Sequence, residues 1–397
     1  MPEDETAPIP QRHTIPALIA VALACGTGIP QALNDFRSDD WTLLNWGRAG
    51  DIWAFLTTPP PFPYYRPLNA LCWQVVARTF GVEPWPGELL LLGLWGAALA
   101  FLYGIAARSV GPWGGLAAVT LAVCTREVRE LVNWRSWLTT TGGLAGILGA
   151  LWFAGGGRSG ASIVALAFGA GFKEVAWWHG GAALAASRRY GLATLALGAM
   201  AVHMLVFAPP LPEGALSLAF VPRNAMAFAQ TLLAWAWPPG LVVLALGAPR
   251  VAWRGPSVAL LLAAVLAWVP PVGFYLYSPF YFIEGALLGL LALLPVAAAT
   301  VRSRPRYAAV VVAIMAICLA RPAQWKDFAE NIPWQQRRMR EGRALFLVGR
   351  GAKEVWAPVG DPGACGLAAD LLVFEGAVRV DAAPPLGREL RDCLVVR

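Results

Sequence analysis

The sequence predicts an all-α polytopic membrane protein of about eleven spans, followed by a small mixed α/β appendage at the carboxyl end. Of its 397 residues, 57% are hydrophobic and only 14% are charged, and the mean hydropathy is +0.55. A water-soluble chain of this length cannot bury so much apolar sequence in one core. The apolar residues also fall into successive runs up to about residue 320, which indicates repeated crossings of a membrane.

The apolar runs are the evidence for the individual helices. They lie at 15–33, 89–107, 113–124, 137–154, 161–172, 175–186, 192–208, 225–248, 258–275, 283–301 and 308–319. Several are shorter than the roughly 20 residues that a straight span needs, so neighbouring helices must support them inside a bundle. No small-residue cleavage site follows the first run, and we expect a retained helix there.

Basic residues in the connections predict the orientation of the chain. Arginines occur on alternate connections, at Arg108, Arg158, Arg188, Arg189, Arg250, Arg254, Arg302, Arg304 and Arg306. The positive-inside rule assigns these connections to the cytoplasm, which places the amino terminus inside, the Asp39 loop outside and the chain after about residue 321 outside. The formal charge of +7 comes mostly from these connections and from a carboxyl-terminal arginine cluster, and it implies no nucleic acid.

Mixed charges at residues 126–135 fall on a connection that this count places outside. Arginines that defy the positive-inside rule are candidates for binding an anion. A helix cap in which each Arg pairs with a Glu explains them equally well.

The first outer loop, residues 34–85, contains the strongest candidates for chemistry. Asp39 and Asp40 are adjacent and follow the first apolar run, where a helix would leave the bilayer. Aromatic and leucine residues after them predict helices that lie along the membrane surface. Tyr65 and Arg66 then place a cation just before Pro67. Paired acids at a membrane mouth suggest a general base, although a solvated loop can also carry two acids.

A second charged pair, Lys173 and Glu174, lies between two apolar runs. Ionisable residues flanked so tightly by apolar sequence usually face protein or a water-filled cavity and are often functional. The alternative is the polar turn of a helical hairpin. Arg223 and Glu284 lie on other predicted outer segments, where a structural ion pair is as plausible as a site role. His179 is more typical of a hydrogen-bonded buried histidine than of a base.

Three segments together resemble a known superfamily. The sequences SDDWTLLN (38–45), PYYRPLNALCW (63–73) and FKEVAWW (172–178) are similar to the Asp-Asp, Tyr-Arg-Pro-Leu and Lys-Glu signatures of GT-C membrane glycosyltransferases. The resemblance extends over roughly residues 15 to 320. It is nearest to the branch of the transmembrane and tetratricopeptide-repeat O-mannosyltransferases and their bacterial relatives. No tetratricopeptide array follows here, so the acceptor specificity of that branch does not carry over.

The resemblance implies a GT-C-like bundle that transfers one hexosyl or pentosyl group from a polyprenyl-phosphate donor, with inversion, in O-glycosylation. The acceptor would be a hydroxyl of a protein, a lipid or a glycan at the outer face of a bacterial inner membrane. Asp39 or Asp40 would take the hydroxyl proton. Arg66 and Lys173 would stabilise the leaving phosphate. The supporting residues in this interpretation are Tyr65, Glu174, Arg223 and Glu284.

Some enzymes of this superfamily use a divalent cation such as Mg²⁺ or Mn²⁺ and others do not. One Asp-Asp pair supplies too few ligands to argue for such a metal.

Two other classes of function remain open. A flippase or other transporter for lipid-linked sugars would have polar residues along its helix interiors, whereas these helices are mostly Ala, Leu, Gly and Val. A non-catalytic subunit of an assembly would have a mouth cavity plugged by side chains, or both Asp39 and Asp40 turned into solvent. The sign that distinguishes the enzyme is convergence of the acids with Arg66 and Lys173 on one cavity.

The chain divides by composition into a membrane module, residues 1–322, and a small extracytoplasmic domain, residues 323–397. The second part has short apolar runs between Gly, Pro and Asp turns, which favours a mixed α/β or β-rich fold. About 75 residues make a small independent core, so it is expected to dock on the membrane module. Cys365 and Cys393 are its only cysteines, and they form either a disulfide or two reduced thiols.

Overall fold

A computed structural model gives the fold of the chain. It describes residues 9–32, 39–49, 51, 65–125, 128, 131–132, 137–207, 217–235, 237–253, 255–272, 282–320, 322–358, 363–381, 388–391 and 394–396. The mixed-charge segment at 126–135 lies largely outside these residues, as do Tyr64 and Cys393.

The structure is an all-α membrane protein with a small mixed sheet near its carboxyl end. Three helices belong to the first run and the first outer loop, namely α1 (Ile9–Ala32), α2 (Asp39–Ala49) and α3 (Pro67–Val75), and a π-helical turn (Val76–Phe80) follows α3. The helices of the bundle are then α4 (Trp85–Val110), α5 (Pro112–Val123), α6 (Leu138–Gly155), α7 (Ser159–Phe172), α8 (Ala176–Ala186), α9 (Tyr190–Phe207), α10 (Val221–Trp235), α11 (Trp237–Leu246), α12 (Gly255–Val272), α13 (Ile283–Ser303) and α14 (Pro305–Leu319).

Each of the eleven predicted apolar runs overlaps a helix, but few of these helices are full spans. Among the described residues, four are long and apolar enough to cross a membrane by themselves, namely α4, α6, α9 and α13. The run at 225–248, read from sequence as one segment, forms two helices, α10 and α11, that meet at an angle of 83°. Counting that pair as one span gives five. Over the described residues, most of the other runs form apolar helices of 10–17 residues, which depend on their neighbours.

Glycines in α6 allow its close contact with α7. A Cβ atom at Gly146 would lie 2.3 Å from the Cα of Gly169, and one at Gly142 would lie 2.3 Å from the ring of Phe172. Small residues let two membrane helices approach until their backbones touch, which favours packing where no water is available to drive association. This contact fixes the end of α7, where Lys173 and Glu174 follow.

Two hydrogen bonds join helix ends that the arginine pattern assigns to the same predicted side. At one end of the bundle, Arg108 at the end of α4 donates to the carbonyl of Trp152 near the end of α6, at 2.8 Å. On that same predicted side, Thr300 of α13 donates to the carbonyl of Leu244 of α11 at 2.7 Å. The charged residues of the predicted outer connections meet at the other end, as described below.

The carboxyl-terminal unit consists of α15 (Pro322–Gly349), α16 (Ala364–Phe374) and a four-stranded sheet. Its strands are β1 (Glu354–Trp356), β2 (Val378–Arg379), β3 (Arg388–Arg391) and β4 (Leu394–Val396), in the order β2-β1-β4-β3. The β1–β2 pair is parallel and is connected through α16, whereas β4 is antiparallel to both β1 and β3. The mixed α/β composition predicted for this region is confirmed. The apolar runs at 344–348 and 371–374 turn out to be helical.

The carboxyl-terminal unit shares a hydrophobic core with the first outer loop. Leu44 of α2 and Trp73 of α3 are buried in one cluster with Val355 of β1 and Leu367 of α16. The docking expected from the small size of this unit is therefore present. Cys365 of α16 is disulfide-bonded, whereas the predicted partner, Cys393, lies outside the described residues.

Candidate active site

Arg66 and Glu174 form a two-point ion pair that joins the first outer loop to the α7–α8 connection. Arg66 Nε lies 2.7 Å from Glu174 Oε2, and Arg66 Nη2 lies 3.0 Å from Glu174 Oε1. Although burial raises the pKa of the Glu174 carboxyl, the charge and hydrogen bonds of Arg66 outweigh burial and hold that pKa below its usual range. Glu174 is therefore ionised at neutral pH, and the planar guanidinium is held in one orientation.

The local sequence explains why Arg66 occupies this position. The residue before a proline is pushed to extended backbone, and proline itself is favoured at the first position of a helix. Accordingly, Arg66 has φ −132° and ψ 72°, and α3 begins at Pro67. One residue later, Leu68 packs on Gly171 so closely that a Cβ at Gly171 would lie 2.6 Å from Leu68 Cγ. The start of α3 is thereby held against the end of α7, beside Glu174.

Lys173 pairs with a carboxylate from another helix of the bundle, α13. Its Nζ donates to Glu284 Oε1 and, at 3.2 Å, to the hydroxyl of Thr140. The side chains of Lys173 and Glu284 are only 9% and 1% exposed. Glu284 lies in the first turn of α13, where the helix dipole favours a negative charge. Burying this charge pair is tolerable because each partner neutralises the other.

A short break between two helices brings both charged pairs together. Helix α7 ends at Phe172, Lys173 is extended with φ −149° and ψ 112°, and α8 begins at Ala176. Glu174 lies in the turn between this extended residue and α8. Lys173 can therefore reach Glu284 while Glu174 reaches Arg66, and one break connects the first outer loop, α6, α7, α8 and α13.

Three aromatic side chains lie next to Arg66. The ring of Tyr65 stacks on Phe207 at the end of α9, with 4.2 Å between centroids and an angle of 12°, and His203 lies 5.8 Å from the centroids of both rings. Burial raises the pKa of the Tyr65 phenol, so this group stays neutral. Tyr65 is thus a contact between the loop and α9 as well as a neighbour of the ion pair.

Of the paired acids, Asp40 is the one whose side chain the structure describes. It lies in the first turn of α2 and is fully buried. The side chain of Asp39 is outside the described part of the chain, although α2 begins at Asp39. Asp40 is therefore not turned into solvent, whereas the signs expected of a non-catalytic subunit are a plugged mouth cavity or exposure of both acids. Convergence of this acid pair with Arg66 and Lys173 stays a prediction.

The other residues singled out from the sequence have different surroundings. Arg223, at the exposed start of α10, donates to Asn224 Oδ1 at 3.1 Å and lies 5.3 Å above the ring of Phe220. It takes part in neither of the two ion pairs. His179, on α8, is buried.

Sequence reasoning missed two residues of this region. Thr140 and His203 were not recognised as candidates. Polar residues in otherwise apolar runs were the available signal, because Thr140 stands in a row of three threonines and His203 lies within an apolar helix. Such residues are common, however, and only the fold shows which of them face the charged pairs.

Among the side chains that the structure describes, no three of the types His, Cys, Asp and Glu are grouped so that they could hold a metal ion.

Comparison with known proteins identifies a solved structure with a similar fold. No protein-family model matches the chain, and no curated protein is similar to it. A solved structure, ArnT from Cupriavidus metallidurans bound to undecaprenyl phosphate, is similar in fold, with a TM-score of 0.52 and 15% sequence identity. The match covers 90% of this chain and 74% of that one. The chain is an integral membrane protein with a GT-C-like fold, as the three sequence segments implied. The narrower resemblance to O-mannosyltransferases is not confirmed.

Proposed function

We propose that this protein is a glycosyltransferase that moves one sugar from a polyprenyl-phosphate donor to an acceptor hydroxyl. The observation that carries the proposal is the junction of two ion pairs, Arg66–Glu174 and Lys173–Glu284, at one end of a GT-C-like bundle. The similar ArnT structure is bound to undecaprenyl phosphate, which is the class of lipid that the proposal requires. Which sugar is moved, and to which acceptor, is left open among hexoses and pentoses and among protein, lipid and glycan hydroxyls.

The two cations have different roles in the proposal. Arg66 is 21% exposed, and Glu174 fixes the plane of its guanidinium, so it is suited to direct contact with phosphate. Lys173 is held by Glu284 and Thr140 and is almost fully buried. It reaches phosphate only if that anion takes the place of Glu284. Lys173 therefore acts mainly by holding the α7–α8 break in place, so that Glu174 next to it can orient Arg66.

The position of Tyr65 fits a carrier that enters from the lipid. Helix α9 is mostly exposed in the structure, with Val202 and Leu205 58% and 86% exposed. Such a surface suits contact with acyl or isoprenoid chains. At the end of this helix, Tyr65 stacks on Phe207 beside Arg66, and aromatic rings are favoured where hydrocarbon meets water. A lipid phosphate at Arg66 could thus keep its isoprenoid chain along α9.

The acid pair supplies the base in this mechanism. An acceptor hydroxyl attacks the anomeric carbon while a carboxylate takes its proton, and the bond to the phosphate oxygen breaks on the opposite side of the sugar. The configuration at the anomeric carbon is inverted. Asp39 is the proposed base, and Asp40, one residue along α2, is its buried neighbour. No general acid is required because the leaving phosphate is stable as an anion.

The site is proposed to face the outside of a bacterial inner membrane. Arg66, Glu174, Lys173 and Glu284 all belong to connections that the arginine pattern assigns to the outer side. Their contacts with one another support a common side for these connections.

Reconstitution into liposomes tests the proposal. The protein would be given a panel of polyprenyl-phosphate hexoses and pentoses together with mixed protein, lipid and glycan acceptors. The expected result is release of polyprenyl phosphate and transfer of the labelled sugar, both abolished by Asp39→Asn. Movement of intact donor across the bilayer without release would indicate a transporter. Binding of donor with neither event would indicate a non-catalytic subunit.

A further inference from the structure

Helix α2 lies between the bundle and the carboxyl-terminal unit. It packs on α3 and the π-helical turn on one side and on α16 on the other. Leu43 and Leu44, in the middle of α2, are 7% and 0% exposed and belong to the core shared with that unit. A Cβ atom at Gly47 would lie 2.7 Å from the carbonyl oxygen of Trp73, so the backbones of α2 and α3 are in direct contact.

Arg48 connects the end of α2 to the end of α16. Its Nη1 donates to the carbonyl oxygen of Phe374, the last residue of α16, and its guanidinium lies 5.0 Å from the centroid of the Phe374 ring. The last carbonyls of a helix lack partners within the helix and carry its partial negative charge. A cation at this position satisfies one of them and complements the dipole.

A second arginine holds the same two parts together. Arg343 of α15 donates through Nη2 to the carbonyl of Val82 at 2.7 Å, and its Nη1 lies 3.6 Å from Glu83. Val82 and Glu83 follow the π-helical turn of the first outer loop. The carboxyl-terminal unit is therefore attached to the loop by one buried core and by polar contacts from two of its helices.

From these contacts we infer that the carboxyl-terminal unit fixes the orientation of α2 and that Arg48 is a positioning residue for the acid pair. The inference rests on the proposed function. Asp39 and Asp40 begin the helix whose last turn contains Arg48. An α-helix of eleven residues is a stiff rod about 16 Å long, so a change of tilt at Arg48 displaces the carboxylates at the other end. Misplacing a catalytic group by about 1 Å can cost 100-fold in rate.

Three variants in the full-length protein, reconstituted into liposomes, test the role of Arg48. Arg48→Ala is expected to lower kcat by about 10- to 100-fold while changing KM for the donor less than about 2-fold, because Arg66 lies outside α2. Arg48→Lys keeps a cation at the helix end and should recover much of kcat. The matched control is Arg379→Ala, which breaks an exposed pair to Asp370 of the same α16, 3.0 Å long, without touching α2. It should keep the wild-type rate.

Hydrogen exchange of the same proteins gives a reading that does not depend on turnover. Arg48→Ala should lose protection at the amides of residues 39–49, and Arg379→Ala should not. Where Arg48→Ala does not accumulate, Arg48→Gln takes its place, since it keeps an N–H donor but not the charge.

Equal kcat and equal exchange in Arg48→Ala and wild type would overturn the inference while leaving the proposed function intact. A loss of kcat without any change of exchange in α2 would also overturn it. If the wild-type protein itself shows no sugar release, the result contradicts the proposed function instead. The contact between Arg48 and Phe374 would then have no role in catalysis.

Discussion

At the scale of single residues, Arg66 and Lys173 each form an ion pair with a glutamate, but the two cations differ in how deeply they are buried. The Arg66 side chain is 21% exposed, whereas that of Lys173 is 9% exposed and also bonded to Thr140. An exposed guanidinium can exchange partners at modest cost, whereas removing one partner of a buried pair leaves an uncompensated charge. Variants of the two residues should therefore fail in different ways.

Replacement of Arg66 should act on function. Arg66→Ala is expected to raise KM for the donor and to lower kcat by about 100- to 1,000-fold, because the developing phosphate charge loses its donor. Arg66→Lys should recover only part of both, since an ammonium cannot make two parallel hydrogen bonds. Steady-state release of polyprenyl phosphate measures the effect. Arg306→Ala, an exposed arginine at the other end of the bundle, is the control, and equal loss in it would contradict a specific role.

Replacement of Lys173 should act on folding. Lys173→Met leaves Glu284 buried without its cation and should destabilise the protein by about 3–5 kcal/mol. The double variant Lys173→Met/Glu284→Met removes both charges and should regain most of that loss. Thermal unfolding in detergent provides the comparison. If the double variant is as unstable as the sum of the two single ones, the pair does not act as a unit.

Replacements of the two acids should likewise have different effects, mainly on turnover for Asp39 and mainly on stability for Asp40. Asp39→Asn keeps the shape of the side chain but removes the proton acceptor, so kcat should fall at least about 100-fold with little change in KM. Asp40 is fully buried, and Asp40→Asn should lower stability more than it lowers kcat per folded molecule. Active-site titration against folded protein distinguishes the two effects. If Asp39→Asn kept the wild-type kcat and Asp40→Asn lost it, the general base would be Asp40 instead of Asp39.

At the scale of elements, the position of Lys173 and Glu174 depends on how closely α6 and α7 approach. Gly146→Ala would place a Cβ 2.3 Å from the Cα of Gly169, a backbone atom that cannot move aside. Overpacking of this kind costs about 1–3 kcal/mol. Gly160→Ala on α7, where a Cβ would meet nothing within 4 Å, is the matched control and should be neutral or slightly stabilising. Equal melting temperatures of the two variants would argue against this contact.

Apolar runs predicted where helices lie, but not how they bend or pair. The run at 225–248 contains Trp235 and Trp237, both 2% exposed, on either side of an 83° bend. Periodicity cannot show such a bend, because each half remains apolar. Likewise, Lys173 and Glu174 were visible as neighbours in sequence. Their partners Glu284 and Arg66 lie 111 and 108 residues away, and tertiary packing alone selects them.

At the scale of the whole molecule, the contact of α2 with α16 predicts that the proposed site and the carboxyl-terminal unit lie on the same side of the membrane. Composition predicted a small unit that needs a partner surface, but it did not identify the first outer loop as that surface. The reason is that the apolar residues Leu43, Leu44 and Trp73 are explained equally well by contact with lipid and by contact with another part of the protein.

The arginine pattern predicts which side this is. A cysteine introduced at Val378, a 62% exposed residue of β2, should react with a membrane-impermeant maleimide in intact cells. A cysteine at Arg306, in the connection before α14, should react only after the membrane is permeabilised. The reverse pattern would place the site and the carboxyl-terminal unit in the cytoplasm.

The most direct test of the central claim is a structure of the protein in lipid nanodiscs with bound polyprenyl phosphate. The account predicts that the phosphate contacts Arg66 beside Glu174, that the isoprenoid chain follows α9, and that the carboxylates of Asp39 and Asp40 face the phosphate across a gap one sugar can fill. A phosphate bound away from Arg66 would contradict it. So would an acid pair more than about 15 Å from both Arg66 and Lys173, since one sugar-phosphate could not then touch both groups.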